Sequence, residues 1–204
     1  MNENYYLLFE KQIEEIKNFP SVPNLLLHSC CAPCSSQVIS TLTNFFNITI
    51  LYYNPNIYPK EEYLKRKEEQ IKLLNKIESV NKLNIIDCDY DNEVYEQTIK
   101  GLEKEKEGGS RCYKCFALRL EKTAKIGEKK SYDYFSTTLT ISPHKNSKII
   151  NIIGKSLEDK YNIKWLYSDH KKKDGYKKSI ELSKKYNLYR QNYCGCIYSK
   201  RIDT

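Results

Sequence analysis

Three cysteines within five positions stand where an apolar run gives way to a helical pattern. Residues 25–28 are short and mostly apolar, which is typical of a buried strand. Residues 35–46 carry apolar side chains at helical spacing and predict a helix. Cys30, Cys31 and Cys34 therefore lie where a strand ends and a helix begins, and in an open α/β sheet that edge is where ligands bind.

Thiols at such a place are suited to metal or redox chemistry, because the positive end of a helix favours the thiolate form. The alternative is that these cysteines are small buried apolar side chains. The sequence has no signal-peptide pattern and no apolar run of membrane-spanning length, so we expect a cytoplasmic protein with no membrane association. Disulfides are rare in that compartment, and clustered cysteines there usually indicate metal binding or catalysis.

The rest of the chain alternates between strand and helix patterns, which predicts a parallel sheet with right-handed crossovers. We expect residues 1–20 to form an N-terminal helical extension and residues 21–204 a single α/β domain. The predicted strands are residues 25–28, 48–53, 83–87, 132–137 and 163–166. The predicted helices are residues 5–19, 35–46, 60–80, 91–107, 112–125, 147–160 and 175–185.

Two further cysteine pairs occur later in the chain. Cys112 and Cys115 form a C-x-x-C at a predicted helix start, where one turn brings both sulfurs to the same side. Together with the first motif they supply enough thiolates for a four-cysteine iron–sulfur cluster or a structural zinc. Cys194 and Cys196 flank a glycine, and such a pair can close a strained, readily reduced disulfide or supply metal ligands. Cys88 follows a strand alone, and we interpret it as a buried filler.

The formal net charge is +8, and an excess of basic residues lies in the C-terminal half among tyrosines. Lysines can bind phosphates, and aromatic rings can stack on unstacked bases. This combination favours an RNA loop as the partner. A lysine-rich solvated surface without a partner is the alternative. If residues 171–173 bind phosphates, their removal should flatten the salt dependence of binding by up to about 3 units. The basic residues are Lys171, Lys172, Lys173, Lys177, Lys178, Lys184, Lys185, Lys200 and Arg201, and the tyrosines are Tyr176, Tyr186, Tyr189, Tyr193 and Tyr198.

Five ordered motifs resemble the QueH family of epoxyqueuosine reductases, over about residues 23–201. The motifs are residues 27–33 (LHSCCAP), 53–57 (YNPNI), 111–116 (RCYKCF), 137–145 (TTLTISPHK) and 193–199 (YCGCIYS). The resemblance implies a Rossmann-like α/β fold with a cysteine-rich iron–sulfur site at the C-terminal ends of the strands. It also implies the last step of queuosine biosynthesis, in which the epoxide of epoxyqueuosine in the tRNA anticodon loop is reduced to queuosine.

The resemblance further implies site residues, cofactors and partners. The residues that match the family's 4Fe–4S ligands are Cys30, Cys31, Cys112 and Cys115, and those that match its redox-active disulfide pair are Cys194 and Cys196. Cys34 departs from the pattern, since many relatives have aspartate there, and it could hold a second metal such as a second iron. The implied partners are a tRNA that contains epoxyqueuosine and an electron donor that the sequence does not identify.

Removal of an epoxide oxygen needs two electrons and two protons, and a dithiol pair stores two electrons. Candidate proton donors are His28, His144 and Asp169. Two other functions remain open on the residues alone. One is a thioredoxin-like thiol oxidoreductase that uses Cys31 and Cys34 without metal. The other is a zinc-stabilised RNA-binding module without catalysis.

Overall fold

A computed structural model describes residues 3–200 and contains one five-stranded, all-parallel sheet. The strands are β1 (Asn24–His28), β2 (Asn47–Tyr52), β3 (Leu83–Asp87), β4 (Tyr134–Thr137) and β5 (Lys164–Trp165). The helices are α1 (Tyr5–Lys17), α2 (Ala32–Leu42), α3 (Lys60–Leu74), α4 (Asn92–Thr98), α5 (Ser110–Lys129), α6 (Ser147–Lys160) and α7 (Gly175–Lys185). Short 3-10 helices lie at Thr138–Ile141 and Ile197–Ser199.

The strand order is β3-β2-β1-β4-β5, with β1 at the centre. The chain moves outward from β1 to β3 and then returns to place β4 on the other side of β1. This reversal opens a crevice at the carboxyl ends of β1 and β4, the usual ligand position in such sheets. The predicted Rossmann-like α/β fold is confirmed.

The three central strands, β1, β2 and β4, are buried on both faces, as a parallel sheet between helices requires. Leu25, Leu26 and Leu27 of β1 have no exposed area. Phe9 and Ile13 of α1 pack into the same apolar cluster as β1. The proposed division of the chain at residue 20 stays a prediction, and its outer limits, residues 1–2 and 201–204, lie outside the described residues. None of the helices described within residues 3–200 is long and apolar enough to cross a membrane.

Helix α2 begins at Ala32, three residues earlier than its apolar spacing indicates, and this places Cys34 within the first turn. Pro33 is accommodated there because its missing N–H would have no partner in a first turn. Helix α3 ends at Leu74 rather than at residue 80, and α4 ends at Thr98 rather than at residue 107. Turns with positive-φ glycines then precede α5, which begins at Ser110 and holds Cys112 in its first turn.

Candidate active site

Three thiols come together at the carboxyl end of β1. Cys31 is the N-cap residue of α2, and the sulfurs of Cys30, Cys31 and Cys34 all lie within 4.8 Å of one another. The Sγ atoms of Cys30 and Cys31 are 3.8 Å apart. Both residues are buried, and Cys34 is partly exposed. The strand end and the first helical turn therefore build a compact donor set for a thiophilic metal.

The three thiols differ in the direction in which their surroundings shift the pKa. Hydrogen bonds from the thiols of Cys31 and Cys34 hold the pKa of Cys30 well below its usual range, and the cations Lys145 and Arg119 lower it further. The pKa of Cys31 is raised to about 12, first by its hydrogen bond to Cys30, and that of Cys34 is raised for the same reason. Metal binding requires thiolates, so it would release the protons of any of these thiols that are still protonated.

The second cysteine pair lies at the start of α5. The Gly108 N–H donates to Cys112 Sγ at 3.2 Å. Cys112 packs against the apolar cluster that contains Cys30 and Cys31. Cys115 is buried, which raises its pKa to about 12, and it packs with Cys196 in a separate small cluster. The start of α5 thus lies between the first cysteine motif and the C-terminal one.

A cavity of about 60 Å³ lies between the starts of α5 and α6. Cys112 and Cys194 contribute sulfur to its wall, and Lys145 contributes a cation. Tyr113 lines the same cavity and is 45% exposed, so it presents an aromatic ring at the opening. The full lining is Glu107, Gly108, Cys112, Tyr113, Phe116, His144, Lys145, Asn146, Ile149 and Cys194.

The C-terminal segment is held by side chains from elsewhere in the fold. The buried Arg66 of α3 donates to the carbonyl of Cys194 at 3.2 Å and to that of Tyr193 at 3.4 Å. The N–H of Tyr58 donates to the Gly195 carbonyl at 2.9 Å. Gln191 Nε2 donates to Cys31 Sγ at 2.9 Å, which links this segment directly to the first motif.

All eight cysteines are free thiols in the structure. Cys194 is partly exposed and Cys196 is buried. The redox role predicted for Cys194 and Cys196 stays a prediction. Cys88 packs against the cluster around Leu26 and Leu51, but it is partly exposed and is not the buried filler that we expected.

Two cations, Arg119 and Lys145, lie near the thiols, and the sequence motifs predict no role for either of them. The Arg119 guanidinium is buried, with Nε donating to the Cys115 carbonyl and Nη1 to Asn54 Oδ1, both at 3.3 Å. The signal available in the sequence is its place one helical turn after Cys115. Lys145 is the last residue of the motif at residues 137–145. Partial burial opposes its charge, but the sulfurs of Cys194 and Cys30 raise its pKa above the usual value.

The three candidate proton donors have different environments. The His28 ring is buried, with Nδ1 2.9 Å from Thr137 Oγ1 and Nε2 3.1 Å from the Tyr53 carbonyl. Burial and the nearby Arg119 lower its pKa to about 3, so the ring is neutral and links neighbouring strands. Asp169 pairs with Lys171 at 2.8 Å. His144 is exposed and lines the cavity, which makes it the best placed of the three.

Several of the C-terminal lysines already have acidic partners. Lys171 pairs with Asp169 and Lys173 with Glu10, each at 2.8 Å. Of residues 171–173, Lys172 is the one without an ion pair among the described residues. We therefore expect that removal of all three lysines flattens the salt dependence of tRNA binding by about 1 unit and not by about 3. Arg201, also among the predicted basic residues, lies outside the described part of the chain.

Residues 25–202 match the model of the family described as epoxyqueuosine reductase QueH. The chain is 40% identical over 208 residues to the epoxyqueuosine reductase QueH of Streptococcus pyogenes serotype M1, and the match covers 99% of this chain and 82% of that protein. The chain belongs to this family. A member from Staphylococcus epidermidis is 41% identical over 96% of this chain and 84% of its own length. One from Thermotoga maritima is 37% identical over 86% of this chain and 89% of its own length.

Membership of the QueH family confirms the resemblance that the five motifs indicate. It also confirms the expectation of an oxidoreductase, since the relatives are named as reductases. The cysteine triad is a donor set that could bind a metal, as the sequence led us to expect.

Proposed function

We propose that this protein reduces the epoxide of epoxyqueuosine in tRNA to the alkene of queuosine. The names of its relatives supply the reaction. The observation that carries the proposal is the convergence of three cysteine motifs at one edge of the sheet, beside a cavity lined by Cys112 and Cys194. Thiols in that number and arrangement suit redox chemistry that a single thioredoxin-like pair does not need.

We assign Cys30, Cys31, Cys112 and Cys115 as ligands of a 4Fe–4S cluster. The residues fit such a group, because thiolates are the ligands of iron–sulfur clusters. Cys112 also packs against the apolar side chains that surround Cys30 and Cys31. Cys34 lies in the compact triad with Cys30 and Cys31, and its sulfur would be a ligand of a second iron. When bound, the cluster would supply one-electron transfer, and the second iron would supply Lewis acidity.

Cys194 and Cys196 would provide the electron pair. Oxidation of the two thiols to a disulfide releases two electrons and two protons. Conversion of an epoxide to an alkene and water consumes two electrons and two protons, so the step is balanced within one turnover. An external donor must then reduce the disulfide. The contact between Gln191 and Cys31 keeps this segment beside the proposed ligands.

Lys145 and His144 would act on the oxygen of the epoxide. Both line the cavity, and the Lys145 ammonium faces the thiols of Cys194 and Cys30. A fixed cation stabilises negative charge that develops as the C–O bond breaks. A proton from the exposed His144 ring or the ammonium would complete the release of water.

The modified base must leave the stack of the anticodon loop to reach the cavity. Tyr113 presents its ring at the cavity opening and is a surface on which an extruded base would stack. Phosphate contacts would come from lysines without acidic partners, of which Lys172 is one example among the described residues.

Anaerobic reconstitution tests the proposal directly. We expect a brown protein with stoichiometric iron and sulfide, and the reconstituted protein with a chemical reductant should remove one oxygen atom from epoxyqueuosine in tRNA, measured by mass spectrometry of the nucleosides. Tyr113→Ala should weaken the reaction while the iron content stays unchanged. A colourless protein that binds only zinc, or a brown one that leaves the nucleoside mass unchanged, would contradict the proposal.

A further inference from the structure

Arg119 is a buried cation without a carboxylate partner among the described residues. The residue is 2% exposed, and two of its three nitrogens donate to neutral oxygens, those of the Cys115 carbonyl and the Asn54 amide. The third, Nη2, is buried and has no hydrogen-bond partner. Among the residues that the structure describes, no carboxylate lies within ion-pair distance of the guanidinium.

A second cation, Lys145, lies near Arg119 and adds to the positive charge there. The Lys145 ammonium is close enough to Arg119 for each charge to disfavour the other, and it too has no carboxylate partner within residues 3–200. Arg119 Nε is held at the Cys115 carbonyl. Burial opposes the charge of the guanidinium, but the sulfurs of Cys115, Cys194 and Cys30, one from each cysteine motif, raise its pKa. A buried guanidinium is destabilising unless negative charge is gathered beside it.

We propose that Arg119 is a positioning residue for the anionic centre that the three cysteine motifs assemble, with Nη2 as its hydrogen-bond donor. This inference rests on the proposed function, since it requires the cluster. A cluster with four thiolates becomes more negative on reduction, so a fixed positive charge beside it stabilises the reduced form and raises its reduction potential. Arginine suits this role because the guanidinium stays charged when buried and its donors have a rigid geometry.

The role of Arg119 is distinguishable from that of a structural link between α5 and the loop after β2. A link would stabilise the metal-free and the reconstituted protein alike. A partner of the anionic centre stabilises mainly the reconstituted form, because the metal-free protein gathers less negative charge beside the guanidinium. The gain in resistance to urea on reconstitution should therefore be smaller in Arg119→Gln than in the wild type.

The experiment compares Arg119→Gln and Arg119→Lys with Lys125→Gln, a change at an exposed position of the same helix. Redox titration followed by EPR should show the Arg119→Gln potential lowered by about 59 mV, a tenfold change in the one-electron equilibrium. Arg119→Lys retains the charge without the planar donors and should shift less. Lys125→Gln should match the wild type in potential and in iron content.

Normal iron content with a wild-type potential in Arg119→Gln would overturn the inference and leave the proposed function intact. A wild type that takes up no cluster would overturn both. If metal-free Arg119→Gln does not fold, as judged by circular dichroism, Arg119→Lys takes its place. A wild-type reduction potential in Arg119→Lys would then contradict the proposal that Nη2 donates a hydrogen bond to the anionic centre.

Discussion

The first cysteine motif and the last one are placed by different means. Cys30 and Cys31 lie between a central strand and a helix, and their backbone positions follow from the regular elements on either side. Cys194 and Cys196 lie in an irregular segment that depends on side chains of distant residues, Arg66 above all. A metal site needs ligands fixed in one geometry, whereas a redox pair needs its two sulfurs close enough to form a disulfide. The difference supports separate roles for the two motifs.

The largest expected effect concerns the ligands. Cys112→Ser or Cys115→Ser should leave little or no iron after anaerobic reconstitution, because serine removes a thiolate from a four-cysteine set. Iron and sulfide per protein are the measurement. Cys88→Ser is the matched control, since this lone cysteine is partly buried and lies in another apolar cluster. Full iron content in both variants would show that Cys112 and Cys115 are not ligands of the cluster.

The complementary change is in the C-terminal pair. Cys194→Ser and Cys196→Ser should retain the iron and bind tRNA but lose multiple-turnover reduction, because neither variant can form the disulfide. Thiol alkylation with mass spectrometry should find the pair linked in oxidised wild type and free after dithionite. If either serine variant loses the cluster, the pair belongs to the metal site and our division of the cysteines is wrong.

Features that depend on regular strands and helices could be predicted from the sequence, whereas features that depend on tertiary contacts could not. The strand before Cys30 and the helix after Cys34 follow from local apolar patterns, so the fold class and the position of the first motif were accessible. The start of α2 was placed three residues late because Pro33 and the small residues beside it carry no apolar signal. Arg66 and Arg119 were missed, since a lysine-rich chain gives no indication of which cations are buried.

Arg66→Gln should break the attachment of the C-terminal segment. The guanidinium pairs with Glu62 at 2.7 Å and donates to two carbonyls of that segment, and its side chain is 1% exposed. Loss of one partner from a buried ion pair costs about 3 kcal/mol, so the free energy of unfolding in urea should fall by about that amount. Cys194 should also react faster with alkylating agents.

Lys67→Gln, at the next position, removes a cation that pairs with Asp87 closer to the surface. It should change the free energy of unfolding by less than about 1 kcal/mol. Equal stability of the Arg66 and Lys67 variants would show that the C-terminal segment does not depend on the buried guanidinium. The argument that tertiary contacts place this motif would then fail.

The smallest expected effect tests the backbone of the C-x-C turn itself. Gly195 has a φ of 125°, and a Cβ atom there would lie 3.0 Å from Ile57 Cγ1 and 3.1 Å from Arg66 Nη1. Gly195→Ala should therefore lower the free energy of unfolding by about 2 kcal/mol and slow turnover with the iron retained. Gly101→Ala is the control, because Gly101 has a φ of 83° but nothing within 4 Å of an added Cβ. It should cost about 1 kcal/mol from conformation alone. A Gly195 variant no less stable than the Gly101 variant would mean that the turn has room to adjust, and its contacts with Ile57 and Arg66 would not fix the two thiols.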